Sequence, residues 1–246
     1  MKIYIINPIV SPMCFQELRK YGFFIGAIYI FDALDLQMQK RIDSGDFDDK
    51  QFFKTTQIDE CYEYLKGNGV DYLLYGHESA VEVTDLLSNK LALKYSNPVG
   101  GGSSRYKKDA VQAALKYNNL DYIPAVNYQV KDLKFLNYNT LCSRVPFIVK
   151  PVNGGGSTNV YVINNEADFH KMQSNIDELV HLGLYLEEYT LQKFIIGRQY
   201  AIDTFSIDGQ HYLINLRRVI TKSNKLKFSY VAVSLDFGDE FTQNTF

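Results

Sequence analysis

The sequence predicts an α/β protein in which an open parallel sheet comes first and an α+β domain with antiparallel strands follows. In the first part, short runs of β-branched and aromatic residues alternate with segments of helical spacing, which is typical of a parallel sheet. In the second part, strand-like runs follow one another, and Asp208-Gly209 indicates a hairpin turn. A Gly- and Ser-rich stretch at 97–104 separates the two parts, so we expect domains at 1–96 and 97–246.

Each element has its own local signal. Apolar runs bounded by turn residues predict strands, and periodic apolar spacing predicts helices. In the first part we expect strands at 2–7, 23–31 and 71–75, helices at 14–21, 58–66 and 81–94, and an exposed acidic loop at 43–50. In the second part we expect helices at 107–117 and 166–172 and strands at 122–126, 147–150, 160–163, 185–188, 198–206, 211–219 and 226–235.

The composition excludes several classes of protein. The 246 residues include 26 basic and 28 acidic side chains, and this balance disfavours a nucleic-acid-binding surface. Three scattered cysteines do not make a disulfide framework, and the apolar runs are too short to span a bilayer. The start of the chain is typical of a first strand and lacks the cleavage site of a signal peptide. We therefore expect a cytoplasmic protein that does not bind membranes.

The motifs of the common nucleotide-binding and hydrolytic enzymes are absent from the sequence. It contains no Walker A loop, no GxGxxG, no GxSxG, no HExxH and no EF-hand loop. The four histidines lack the spacing of metal ligands, so we expect no metal site built on them.

The strongest positive signal is the segment PFIVKPVNGGGSTNV at 146–160. A strand ends at Lys150, a loop containing Gly154, Gly155, Gly156 and Ser157 follows, and a second strand resumes at Val160. Backbone N–H groups in a loop without side chains can approach phosphate oxygens closely, and the lysine adds a positive charge. The same pattern also fits a flexible hairpin with a solvated lysine, so the loop alone does not decide between the two interpretations.

Further segments in the same order resemble the ATP-grasp superfamily of carboxylate–amine ligases, which includes relatives of biotin carboxylase and carbamoyl-phosphate synthetase. The resemblance covers nearly the whole chain. It depends on segments 76–79 and 86–90, Arg105 and Lys108 before a helix, Val149-Lys150-Pro151, the glycine loop, Leu186-Glu187-Glu188-Tyr189 and the segment 197–203. It implies a pre-ATP-grasp domain at 1–96 and an ATP-grasp domain at 97–246, with a flap subdomain at about 122–185 and the start of a C-terminal subdomain at 186–246.

The resemblance also implies roles for single residues, with ATP as the bound nucleotide. Lys108 and Lys150 are expected to contact the phosphates, with Lys107 as the competitor of Lys108. Gly154, Gly155, Gly156 and Ser157 are expected to cover the phosphates. Glu187, Glu188 and Tyr189 are expected at the adenine, although Glu188 can contribute mainly its backbone and Tyr189 can serve in packing. Gln199 is expected at the ribose.

The chain departs from the superfamily pattern in several places. Gln199 stands where glutamate is usual, and an amide still accepts from a hydroxyl. Asn159 replaces a glycine, and asparagine tolerates a positive φ. The segment between Tyr189 and Gly197 is longer than usual, so the hinge alignment there is loose. The Glu-x-Asn element that holds Mg²⁺ in the superfamily is missing after the hinge, so Mg²⁺ is expected from the resemblance while its ligands are not found. We therefore expect an ATP-grasp domain that is incomplete at its C-terminus.

The resemblance implies an ATP-dependent carboxylate–amine ligase, or part of one, that acts through an acyl phosphate on small-molecule substrates. The alternative is a non-catalytic adenine-nucleotide-binding module or a truncated ligase fragment, so catalytic residues are not assigned. A homodimer, or a second chain that completes the site, is left open. Arg217 and Arg218 face opposite sides of a predicted strand, and either can bind a substrate carboxylate or form a surface salt bridge.

Overall fold

A computed structural model of the chain describes residues 1–9, 15, 17–32, 36–97, 107–153, 157–183, 187–224 and 227–235. The chain divides into two compact units, Met1–Tyr122 and Ile123–Phe246. The predicted boundary between residues 96 and 97 stays a prediction, because most of the linker lies outside the described residues.

The first unit is built on a parallel sheet, as the sequence predicts. Its strands are β1 (Lys2–Ile6), β2 (Phe24–Ile30), β3 (Asp49–Phe53) and β4 (Tyr72–Tyr75). Their order is β3-β2-β1-β4, and each neighbouring pair is parallel. Apart from Lys2 at the start of β1, the two central strands are apolar because helices cover both faces of the sheet.

Helices pack on the two faces of this sheet around separate cores. On one face, α1 (Leu36–Ser44) contributes Ile42 to a core with Ile5, Ile25 and Tyr29. On the other face lie α2 (Ile58–Gly67), whose predicted stripe buries Cys61 and Leu65, and α3 (Val81–Lys90). Short 3-10 helices at Glu17–Tyr21 and Glu78–Ala80 and the helix α4 (Lys108–Tyr117) complete the described helices of this unit.

The segment 43–50 corrects the sequence-based expectation of an exposed loop. The helix α1 runs to Ser44, and Asp49 and Lys50 begin β3 at the edge of the sheet. The Asp49 carboxylate accepts hydrogen bonds from the hydroxyls of Tyr4 (3.0 Å) and Tyr64 and from the Gln51 amide (2.8 Å). An acidic residue is tolerated in this strand because tyrosines from β1 and α2 satisfy it.

The second unit holds two antiparallel sheets. The first consists of β5 (Ala125–Gln129), β6 (Phe147–Pro151), β7 (Tyr161–Ile163) and β8 (Glu188–Lys193) in the order β5-β8-β6-β7. The long helix α7 (Glu166–His181) packs on one face through Phe169, Met172 and Ile176. In the chain, β5 and β6 are connected by two short helices, α5 (Val130–Leu133) and α6 (Tyr138–Leu141), and a 3-10 turn at Cys142–Arg144.

The other sheet of the second unit is a three-stranded meander. It contains β9 (Gln199–Ile207), β10 (Gln210–Asn224) and β11 (Lys227–Leu235), with β10 in the centre. Asp208 and Gly209 both have positive φ angles, as the predicted hairpin turn requires. The antiparallel arrangement predicted for the second half is confirmed.

The Asp49 cluster makes the stability of the first unit depend on pH. Burial by itself raises the pKa of Asp49, but the hydrogen bonds from Tyr64, Gln51 and Tyr4 hold it below the ordinary value. The stabilisation is therefore complete above about pH 4 and is lost as the pH falls through the lower folded-state pKa. We expect Asp49→Asn to lower the free energy of unfolding by about 1–2 kcal/mol at neutral pH, and this difference to shrink in acid. Urea unfolding at several pH values measures it, and Asp121→Asn, at an exposed carboxyl, is the control. An equal loss of unfolding free energy at all pH values would contradict the stabilising role of the ionised Asp49 carboxylate.

Gly76 is predicted to tolerate no side chain. A Cβ at this position would lie 2.4 Å from the Cα of Pro8, and backbone cannot move aside as a flexible side chain can. Gly76→Ala is expected to cost about 1–3 kcal/mol of unfolding free energy. The matched control is Gly67→Ala at the end of α2, where a Cβ meets nothing within 4 Å and alanine favours the helix. Similar denaturation midpoints for the two variants would refute the close contact.

Candidate functional site

Lys150 lies on the face of its sheet that is opposite to the apolar core. Along β6, Phe147 and Val149 are buried in the core beside α7, while Ile148 and Lys150 alternate with them and are half-buried. The period of two in a strand therefore directs the lysine away from the core.

The same face carries other polar residues that are deeply buried. On β8, Tyr189 and Leu191 belong to the core, so Thr190 and Gln192 lie on the opposite face, where they are 0 % and 3 % exposed. The strand register aligns Asn127 of β5, Thr190 and Lys150 in one row across three strands. We call Asn127, Lys150, Thr190 and Gln192 the polar face.

Thr190 supplies the clearest sign that the polar face can bind a ligand. Its Oγ1 is buried and has no hydrogen-bond partner among the described residues. A buried hydroxyl without a partner costs free energy, which a polar ligand can recover by hydrogen bonding. The sequence shows that Thr190 and Gln192 alternate with apolar residues. Only the strand pairing in the structure shows that both lie on the face opposite to the core.

The glycine loop after β6 is described only at its ends. Gly154, Gly155 and Gly156 lie outside the described residues, so their predicted role stays a prediction. Ser157 and Asn159 both have positive φ angles, so Asn159 adopts the turn conformation that the sequence predicts for it. The strands on either side, β6 and β7, pair antiparallel, as expected for a hairpin.

Glu187, Glu188 and Tyr189 lie at the beginning of β8. Glu187 is exposed, and its backbone oxygen accepts from Val130 N (2.8 Å), while the Glu188 oxygen accepts from Val152 N (3.0 Å). Tyr189 is fully buried in the core, and burial raises the pKa of its hydroxyl to about 12. This position agrees with the packing role that the sequence left open for Tyr189.

Gln199 lies beyond the other end of β8, at the start of β9. The segment 194–198 connects the two strands, and β8 spans about 17 Å from Glu188 to Lys193 at the rise of an antiparallel strand. The expectation that Glu187 and Gln199 contact one nucleoside therefore stays a prediction.

Gln199 lines a cavity of about 530 Å³ within the second unit. The cavity has the size of a small-molecule site and is lined by apolar residues together with two arginines. Its walls are formed by Ile123, Phe194, Ile195, Gly197, Arg198, Gln199, Arg218, Val219 and Ile220. Sequence analysis did not single out Arg198 or Phe194. Arg198 lies between Gly197 and Gln199, within the segment that carries the resemblance, whereas Phe194 lies outside that segment.

Arg217 and Arg218 have different surroundings, as their positions on opposite faces of β10 predict. Arg217 forms an ion pair with Asp203, with 2.7 Å between Nη2 and Oδ2. Arg218 instead lines the 530 Å³ cavity. Of the two arginines, Arg218 is therefore the one placed to meet an anionic ligand.

Lys108 begins α4 in the first unit and is partly buried. Burial lowers the pKa of its ammonium group, and the nearby Glu78 carboxylate opposes this shift. The competing Lys107 lies 3.9 Å from Glu82, measured between Nζ and Oε1. Lys108 and Lys150 belong to different units, so their binding to the same phosphates stays a prediction.

The part of the chain that the structure describes offers neither a cluster of metal ligands nor a membrane-spanning helix. No group of three or more His, Cys, Asp or Glu side chains there could hold a metal ion. No helix in the same residues is both long and apolar enough to cross a bilayer.

Comparison with known proteins identifies the domain. Residues 143–234 match the family described as ATP-grasp domain. This match lies within the second unit and agrees with the resemblance inferred from the sequence, which is thereby confirmed.

A curated relative and two solved structures are similar to this chain. Dapdiamide A synthase of Enterobacter agglomerans is 20 % identical over 171 residues, which are 68 % of this chain and 40 % of that protein. The L-amino acid ligase from Bacillus licheniformis aligns with a TM-score of 0.59 and 18 % identity over 89 % of this chain and 50 % of that one. The D-alanine-D-alanine ligase from Coxiella burnetii aligns with a TM-score of 0.62 and 14 % identity, over 99 % and 73 %. The predicted mixed α/β fold is confirmed, and the chain spans about half or less of the length of the first two relatives.

Two hydroxyls in β8 give a stability test of the site. Thr190→Val removes a buried hydroxyl without a partner, and Tyr189→Phe does the same on the core face, since the Tyr189 hydroxyl also has no partner among the described residues. We expect both variants to keep the free energy of unfolding within about 1 kcal/mol of wild type or to raise it. Chemical denaturation measures this. A clear loss in Thr190→Val would mean that a protein group satisfies the hydroxyl.

Proposed function

We propose that the chain binds an adenine nucleotide in its second unit and acts as, or as part of, an ATP-dependent carboxylate–amine ligase. The observation that carries the proposal is the polar face. There Lys150 is paired in register with Thr190, whose buried hydroxyl has no partner among the described residues. The ATP-grasp match over 143–234 supports it, because this match includes the polar face residues Lys150, Thr190 and Gln192.

The chemistry of the 530 Å³ cavity suits the nucleoside part of such a ligand. Phe194, Ile195 and Ile220 provide apolar surface for a flat base. The Gln199 amide can accept from a ribose hydroxyl, and the Arg218 guanidinium can bind a phosphate through more than one N–H. Lys150 on the polar face supplies a further charge for the phosphates.

We further propose that the adenine contacts lie in the segment 194–198 and not at Glu187 and Glu188. This segment lines the cavity together with Gln199, whereas the two glutamates begin β8 at its far end. The backbone oxygens of both glutamates already accept hydrogen bonds from Val130 and Val152. The extra residues between Tyr189 and Gly197 then form the remainder of β8 and the start of the segment that connects β8 to β9.

The proposed reaction has two steps. A carboxylate oxygen of the first substrate attacks the γ-phosphorus of ATP, the bond to the β-phosphate oxygen breaks, and ADP leaves. The amine of the second substrate then attacks the acyl carbon and expels phosphate, and the nitrogen loses a proton. Lys150 and Arg218 would offset the phosphate charge. Mg²⁺ is expected from the family resemblance, and the described residues contain no group of three or more His, Cys, Asp or Glu side chains that could hold it.

Calorimetric titration with ATP and ADP, with and without Mg²⁺, tests the site. A charge-assisted hydrogen bond contributes about 1.5–3 kcal/mol, so Lys150→Met and Arg218→Gln should each weaken binding by about tenfold or more. Thr190→Val should weaken it by less, since one neutral hydrogen bond is lost.

Neighbouring residues provide matched controls. Arg217→Gln removes the same charge from the opposite face of β10, and Tyr189→Phe removes a hydroxyl from the core face of β8. Both should bind nucleotide like wild type. Equal loss in Arg217→Gln and Arg218→Gln would refute the cavity as the site, and phosphate release without any carboxylate and amine requirement would refute the ligase.

A further inference from the structure

A second cavity, of about 510 Å³, lies within the first unit at the edge of the parallel sheet where the strands end. The ends of β1 and β2 and the starts of α2 and α3 surround it. Its walls are formed by Asn7, Ile30, Phe31, Thr55, Ile58, Ser79, Glu82, Val83 and Leu86. In open α/β sheets, ligands bind at the carboxyl ends of the strands where the strand order reverses, and the order β3-β2-β1-β4 reverses at β1.

The floor of this cavity is held in place by backbone contacts. Asn7 has a positive φ, and its Oδ1 accepts from Ile30 N (2.8 Å), which ties the end of β1 to the end of β2. On the other side of β1, Gly76 N donates to Ile6 O (2.7 Å), and Pro8 lies against Gly76 without room for a Cβ. A floor that is fixed before binding reduces the ordering that a ligand must induce.

The walls and the rim of the cavity differ in chemistry. Ile30, Phe31, Ile58, Val83 and Leu86 make the walls apolar, whereas Thr55, Ser79 and Glu82 supply the polar atoms. An apolar interior with a few polar groups favours a ligand that has an apolar body and a polar end.

The rim carries both signs of charge. Glu82 lines the cavity, and Lys107 lies 3.9 Å from it, at the limit of an ion pair. Both side chains are about half-exposed, so a ligand can reach them from solvent. A zwitterion presents an ammonium group and a carboxylate that complement this pair.

We propose that the cavity binds a small zwitterion with an apolar side chain, that is, an α-amino acid of the leucine or phenylalanine type. The proposal rests on the proposed ligase function, since it names a substrate class for that reaction. Binding to this cavity is nevertheless measured without nucleotide, so the two proposals can fail separately.

Titration of the full chain with L-leucine and L-phenylalanine, followed by NMR or calorimetry, tests the proposal. We expect binding in the millimolar range or tighter, and at least about tenfold weaker binding of L-serine, which cannot fill the apolar walls. 4-Methylpentanoate, which lacks the ammonium group, should also bind more weakly than L-leucine, and its binding should not change in Glu82→Gln.

Two pairs of variants localise the ligand. Val83→Phe fills the cavity and should weaken L-leucine binding at least about tenfold, while Val180→Phe, at a 37 % exposed helical valine of the second unit, should not change it. Glu82→Gln should weaken L-leucine binding, while Glu60→Gln, at an exposed position on α2, should not. Thermal unfolding verifies that the variants fold.

The outcomes separate the two proposals. No saturable binding of L-leucine, or binding that is unchanged in Val83→Phe, overturns the amino-acid site even if ATP binds to the second unit. Leucine binding that is lost in Val83→Phe while no nucleotide binds upholds this site and overturns the proposed function alone.

Discussion

The alternation of apolar and polar side chains along β8 is the constraint on which the second unit depends. Tyr189 and Leu191 enter the core beside α7, and this fixes Thr190 and Gln192 on the opposite face. A shift of one residue in the register would put the polar pair into the core and move the aromatic ring to the polar face. Because β8 lies between β5 and β6, the same alternation also sets which side of the sheet Lys150 occupies. The core and the candidate site are therefore two results of a single strand register.

Much of the fold can be predicted from the sequence because its signals are local. The apolar runs of β1 and β2, the stripe of α2 and the Asp208-Gly209 turn all depend on residues close together in the chain. The strand β3 was missed for the opposite reason. Its stabilising partners, Tyr4 and Tyr64, are distant in sequence, so the acidic segment indicated a loop. An edge strand also has only one paired neighbour, so its own pattern is weak.

The candidate site could be predicted only where a motif marks it. Lys150 follows a strand and precedes glycines, and Gln199 follows a glycine turn, so both are visible in the sequence. Thr190, Gln192 and Arg218 become candidates only when strand pairing assigns them to a face or a cavity. Adjacency in the sequence also cannot show at which end of a strand a residue lies. The interpretation that places Glu187 and Gln199, twelve positions apart with β8 between them, at one nucleoside therefore stays a prediction.

The two cavities differ in ways that assign them different ligands. Among the described residues, the lining of the second unit's cavity includes Arg198 and Arg218 and no acid, and this charge suits phosphates. The described lining of the first unit's cavity is mainly apolar and includes Glu82 but no arginine or lysine, while Lys107 lies at the rim beside Glu82. A nucleotide would therefore meet a carboxylate within apolar walls there. An apolar zwitterion in the second cavity would offer its single carboxylate to two arginines, so the hydrogen-bond donors of one arginine would lack an acceptor from the ligand. Each cavity thus rejects the ligand proposed for the other, which is the selectivity that a two-substrate ligase requires.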